Sequence, residues 1–157
     1  MYDARTVARS IIERASARQI EITNLKLQKL LYIAHGTMLA AFDKPLVKTA
    51  FSAWKYGPVM ATLYHDLKVF GSDSIKNSDF YIQRWDSIPD DDSQAYEVID
   101  AVLGHFGNKT GAALIEWSHD KNGPWYAVYE DNTKGIEIPD DTIKSFFREN
   151  VVSYQGN

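Results

Sequence analysis

The stretch that decides the fold runs from Leu27 to Gly71. It opens with Leu27-Gln28-Lys29-Leu30-Leu31-Tyr32, passes Asp43-Lys44-Pro45, and reaches Trp54-Lys55-Tyr56-Gly57-Pro58 before a last periodic run. Leu27, Leu30, Leu31, Ala34, Met38 and Phe42 recur at helical spacing behind Thr23, a candidate N-cap, so a strongly amphipathic helix is predicted here. It should stop at Asp43-Lys44-Pro45, because proline disfavours helical geometry at the residue before it. Leu46 to Lys55 contains Val47, Thr49 and Phe51 and reads as extended chain or a short strand. Gly57-Pro58 reads as a helix start, since proline lacks the N–H that would be orphaned in a first turn. The helix so begun carries Val59, Leu63, Leu67 and Phe70 on one face and closes at Gly71. Trp54, Lys55 and Tyr56 are thereby expected on a stiff corner, turned inward as packing or outward as a contact surface.

Outward from this stretch, Val7, Ala8, Ile11, Ile12 and Ala15 place a first helix over Asp3 to Ala17, capped by Asp3. Downstream, Phe80, Ile82 and Ile88 alternate loosely with polar residues and suggest a second strand, pairing with the Phe51 segment as a hairpin. Ser93 is a candidate cap for a helix bearing Tyr96, Ile99, Val102, Leu103 and Phe106 and ending at Gly107. Thr110 or Gly111 starts a shorter helix through Leu114 and Trp117. Ser118 to Trp125 reads as a polar loop, and a last helix begins near Pro139 or Asp140 with Ile143, Phe146 and Phe147 inward. Ser153 to Asn157 are expected to fray. The predicted architecture is mainly α, one helical domain over residues 1–157 with a small β-hairpin.

Composition narrows the function. At 157 residues, 45% apolar and 13% aromatic, the chain suffices for one domain with a sizeable core. A net charge of −4 with scattered basic residues argues against a broad nucleic-acid-binding face and favours basic protein partners. Without cysteine there is neither a disulfide framework nor a thiolate zinc site. The N-terminus lacks a signal-type apolar segment, and no run approaches the ~20 apolar residues that cross a bilayer, so a cytoplasmic location is expected.

No catalytic signature stands out. His35, His65, His105 and His119 lack metal-ligand spacing, so no metal site is expected. Gly104 to Gly111 holds three glycines without the order or preceding strand of a phosphate loop, and Asp90 to Asp92 reads as a solvated turn. His119, after Trp117-Ser118 and before Asp120, suits helix capping or packing; a small enzyme using His119, Asp120 and Lys121 is the rival reading. Trp54, Tyr56, Trp85, Trp117, Trp125, Tyr126 and Tyr129 supply aromatic surface for a core or for an interface. Burial with a bonded N–H is the expectation for Trp54.

Taken in order, Leu27-Gln28-Lys29-Leu30-Leu31-Tyr32, Ala53-Trp54-Lys55-Tyr56-Gly57-Pro58-Val59 with Tyr64 beyond, Ser118-His119 and Gly123-Pro124-Trp125 resemble the Panacea domain of SocA-like antitoxins. The resemblance spans roughly Ala4 to Phe147. It implies a phage-associated antitoxin family, with this chain as the antitoxin of a bacterial or prophage toxin–antitoxin pair. Such a protein would neutralise a toxin encoded by a neighbouring gene through direct protein contact, with no catalysis and no cofactor. The alternative it implies is a proteolytic adaptor that delivers a toxin to a Clp-type protease. Lys55, Tyr56, Tyr64 and Trp125 are then the expected partner-binding residues. Leu27, Leu30, Leu31, Trp54, Gly57, Pro58, His119 and Pro124 are the expected scaffold. The loops Ser72 to Asp79 and Asp90 to Asp92 are the alternative contact surface. Some family members carry an added DNA-binding segment, but no basic recognition helix is visible in this sequence.

Overall fold

A computed structural model describes residues 1–133 and 135–152. The expected fraying of Ser153 to Asn157 lies outside the described residues. Helix α1 spans Ala4–Ala17, with the Asp3 carboxylate accepting from the Arg5 N–H, and α2 spans Asn24–Phe42, with the Thr23 hydroxyl accepting from the Lys26 N–H. Both helices start where the capping residues place them, because each cap satisfies an N–H that the first turn leaves unpaired. Helix α2 ends at Asp43, which adopts the left-handed conformation ahead of Pro45.

The expectation that α2 is amphipathic does not hold. It is the central post of the molecule, packed against α1 and against α3 (Ala61–Leu67), α5 (Ser93–Phe106), α6 (Gly111–Ser118) and α8 (Asp140–Asn150). Leu27, Leu30, Leu31, Ile33, Ala34 and Met38 are buried, and so are the polar residues Asn24, Gln28, Lys29 and His35. A helix enclosed on all sides has no solvated face, so its polar residues must find partners inside. His35 does so: its Nδ1 accepts from the N–H groups of Leu46 and Val47, each at 3.3 Å, and its Nε2–H donates to Asp140 at 2.9 Å. Gly36 lets α8 come close, since a Cβ there would lie 2.5 Å from the Phe147 ring. Tyr32 meets Phe51 and Phe147 edge-on, at centroid distances of 5.5 Å in both cases.

Three short antiparallel strands lie in the order β2-β1-β3: β1 is Phe51–Trp54, β2 Gly57–Val59 and β3 Glu137–Ile138. In β1–β2, Ser52 faces Val59, Ala53 faces Pro58 and Trp54 faces Gly57, which leaves Lys55-Tyr56 as a two-residue turn. Gly57-Pro58 is therefore strand, not a helix start, and α3 begins three residues later. Pro58 is tolerated because it stands on an edge strand, where no ladder N–H is needed. The hairpin expected between the Phe51 and Phe80 segments is also corrected. Phe80–Gln83 is a short helix, α4, whose first turn is held by the Asp79 carboxylate accepting from the Tyr81 and Ile82 N–H groups. Arg9 closes its other end, donating to the carbonyls of Ile82, Gln83 and Trp85.

Two smaller corrections concern helix starts. Asp92, not Ser93, caps α5 by accepting from the Ala95 N–H, and it also accepts from the Tyr2 hydroxyl. The segment read as a polar loop, Ser118 to Trp125, ends inside helix α7, Pro124–Val128, with the proline in its first turn. The fold is thus mainly α around one core, with a small sheet against one end of α2. No described helix is long and apolar enough to cross a membrane.

Candidate functional site

The quoted motifs, far apart in sequence, meet beneath the β1–β2 hairpin. Lys29 rises from α2 into the space under β2. It is fully buried and donates from Nζ to the Pro58 carbonyl at 2.8 Å. Gln28, its neighbour, accepts at Oε1 from the Met60 N–H at 2.9 Å and donates from Nε2 to Asn24 at 3.1 Å. Asn24 in turn donates to the Tyr64 carbonyl at 3.2 Å. From the opposite side, the Trp125 indole N–H on α7 donates to the Trp54 carbonyl at 2.6 Å. Buried main-chain groups need partners, and these three side chains, Lys29, Gln28 and Trp125, supply them at the strand ends.

Gly57 is required at the centre of this arrangement. Its φ of +106° is one that L side chains rarely adopt, and a Cβ would lie 2.6 Å from Ser118 Oγ and 2.7 Å from Lys29 Cε. Ser118 Oγ itself donates back to the Ile115 carbonyl at 2.7 Å.

His119 ends α6 through its main-chain N–H, which donates to the carbonyls of Ile115 and Glu116. Its ring stacks on Trp125 at 3.8 Å and 10°, and Trp125 stacks on Tyr129 at 4.5 Å and 18°. His119 Nε2 is buried with no hydrogen-bond partner among the described residues. Burial, and then the nearby Lys29 charge, push the His119 pKa down. Burial alone pushes the Lys29 ammonium down to about 7. Both shifts favour the uncharged forms.

Above this frame the hairpin exposes its tip. Tyr56 is 56% exposed and Lys55 is exposed with Nζ 5.6 Å from the Tyr56 ring. Beside them lies a groove of about 540 Å³ walled by Trp54, Tyr56, Tyr64 and Tyr129, with Leu25 and Val59 in its lining and Asn132 and Thr133 at one side. Of the four residues expected to bind a partner, Lys55, Tyr56 and Tyr64 line this groove. Trp125 does not; it is 7% exposed and supports the hairpin from below, while its edge borders an adjoining depression with Tyr126 and Asp131. Trp54 departs from expectation, being half-buried, edge-on to Tyr64 at 5.2 Å, and part of the groove wall. Leu27, Leu30, Leu31, Gly57, Pro58 and Pro124 are all buried.

Lys29 and Gln28 are the site residues that the sequence reading did not single out. A signal existed: Leu25 and Ile33 stand one turn either side of Lys29, which puts its ammonium on an apolar row. Tyr129 carries no mark in the sequence beyond being one aromatic among several.

The profile of the family described as "Antitoxin SocA-like, Panacea domain" matches residues 27–126. The chain belongs to the SocA-like antitoxin family. The matched span begins at Leu27, in the first turn of α2, and ends one residue past Trp125, so it encloses every member of the clamp under the hairpin except Asn24. Antitoxin SocA of Caulobacter vibrioides (strain NA1000 / CB15N) is 36% identical over 160 residues, covering 96% of this chain and 85% of that protein. No solved structure matches the chain. Within this SocA-like domain, then, the family's span carries both the buried clamp and the exposed hairpin tip.

Proposed function

We propose that this protein is the antitoxin of a toxin–antitoxin pair, and that it neutralises its toxin by direct contact through the hairpin tip and the aromatic groove beside it. One observation carries the reading: buried side chains fix the hairpin by its main chain, while Lys55 and Tyr56 stand exposed on it next to an apolar hollow. Interface centres favour large aromatic side chains and well-formed concavities, because rigid apolar surface loses little conformational entropy on binding. Membership of the SocA-like antitoxin family supports the antitoxin role. No group of three or more potential metal ligands lies together among the described residues.

Co-expression with the product of the adjacent gene tests the proposal. Growth rescue with a stable co-purified complex is the expected result, together with loss of both in Tyr56→Ala while the variant remains folded. Rescue without a complex, accompanied by a shortened toxin lifetime that depends on a Clp-type protease, would replace this mechanism with proteolytic delivery.

A further inference from the structure

We infer that the groove is built to take one extended segment of the toxin, with a large apolar side chain in the central hollow and a carboxylate at Lys55. The inference rests on the direct-binding reading above and names the chemistry of the partner at that surface. Three depressions stand in a row and share their walls. The central one, about 540 Å³, meets one of about 300 Å³ across Leu25, Tyr56 and Tyr64, where Thr23, Asn24 and Ser72 add polar groups to a mainly apolar lining. At its other side it meets one of about 320 Å³ across Tyr129, where Asp131 is the charged residue. A file of small hollows suits side chains of a single extended strand of polypeptide better than the broad face of a helix.

Charge sets the orientation. Lys55 is the one charged residue in the described lining of the central hollow, in a chain of net charge −4. It makes no ion pair among the described residues. Its ammonium near the Tyr56 ring therefore faces a site for an anion at the edge of apolar surface, and Asp131 repels that anion from the far end. Recognition has to run through side chains. Pro58 has no N–H and its carbonyl is held by Lys29, so the outer edge of β2 offers no ladder for an added strand.

The test uses the full chain and the purified product of the adjacent gene. Affinity is measured for wild type, Tyr56→Ala and Lys55→Glu, and then for Lys55→Glu against single Asp→Lys or Glu→Lys variants of the partner. Lys55→Glu is expected to weaken binding by about tenfold or more, and one partner charge reversal is expected to restore most of that loss. A complex that binds Lys55→Glu and Tyr56→Ala as tightly as wild type would leave the antitoxin reading standing and overturn this one. A loss in Lys55→Glu that no partner reversal restores would also overturn it. No complex with the wild-type chain would remove the direct-binding reading, and this inference with it. Self-association of the wild-type chain that Tyr56→Ala abolishes would assign the groove to a second copy and overturn the inference.

Discussion

Replacing Lys29 by methionine should change how stability depends on pH. The ammonium is fully buried and its pKa is pushed from 10.5 down to about 7. Between those values the unfolded chain holds a proton that the folded chain has released, so stability rises with pH across that window. Below pH 7 the folded protein bears the full cost of a charged buried amine. From pH 6 to pH 9 the group releases roughly two pH units' worth of that cost, about 3 kcal/mol at about 1.4 kcal/mol per unit. Methionine fills similar space without the charge, but leaves the Pro58 carbonyl without its donor, a loss of about 1–3 kcal/mol. At pH 9 the wild type still loses about 2 kcal/mol, because the unfolded lysine keeps its proton up to pH 10.5, and this offsets the lost bond, so the two proteins should be about equally stable there. At pH 6 the balance should shift by about 3 kcal/mol toward Lys29→Met, making the variant the more stable of the two. Urea unfolding followed by tryptophan fluorescence at both pH values reads the effect directly. Parallel pH profiles for the two proteins would refute the reasoning, because they would mean that Lys29 titrates alike in both states. A second readout is independent of stability: the His119 ring should titrate at higher pH in Lys29→Met, because the cation that opposes its protonation is gone.

Gly57→Ala should destabilise by about 2 kcal/mol or more, measured as a fall in midpoint temperature, since the new Cβ meets both Ser118 Oγ and Lys29 Cε at a strained φ. Trp125→Phe keeps an aromatic surface against His119 and Tyr129 but removes the N–H that holds Trp54; a loss of about 1–2 kcal/mol in unfolding free energy is expected, with weaker toxin protection in co-expression. Tyr2→Phe removes the donor that holds the Asp92 carboxyl below the usual carboxylate range. The stability this bond contributes is present above the unfolded carboxylate range and disappears as pH falls through the lower folded value. Acid unfolding of the variant should accordingly begin from a lower plateau and fall less steeply.

The elements that sequence reading placed well are those whose ends are decided locally. Asp3, Thr23 and Thr110 each bond an N–H within their own first turn, so the starts of α1, α2 and α6 need no tertiary information. The errors came where a local signal had two structural uses. Gly57-Pro58 serves a helix start or an edge strand equally well, and only the pairing with Ala53 and Trp54 decides between them. The alternation from Phe80 to Ile88 resembled a strand, yet Asp79 and Arg9 close both ends of a single helical turn there. Part of the groove's lining was picked out in the sequence: Lys55, Tyr56 and Tyr64, named there as candidate partner-binding residues, line it together. Lys29 was not, because an isolated lysine in a leucine-rich helix is read as its solvated face until packing closes over every side.

The clamp under the hairpin holds only main-chain atoms: the Trp54 carbonyl, the Pro58 carbonyl and the Met60 N–H. A mount of that kind is indifferent to which side chains the tip displays. Residues 55 and 56 can thus be rewritten while the support that aims them stays in place, much as a fixed chuck accepts different tool bits. For protein engineering this makes the two-residue turn the natural position for a randomised library directed at new partners, with Gly57 and everything beneath it left untouched.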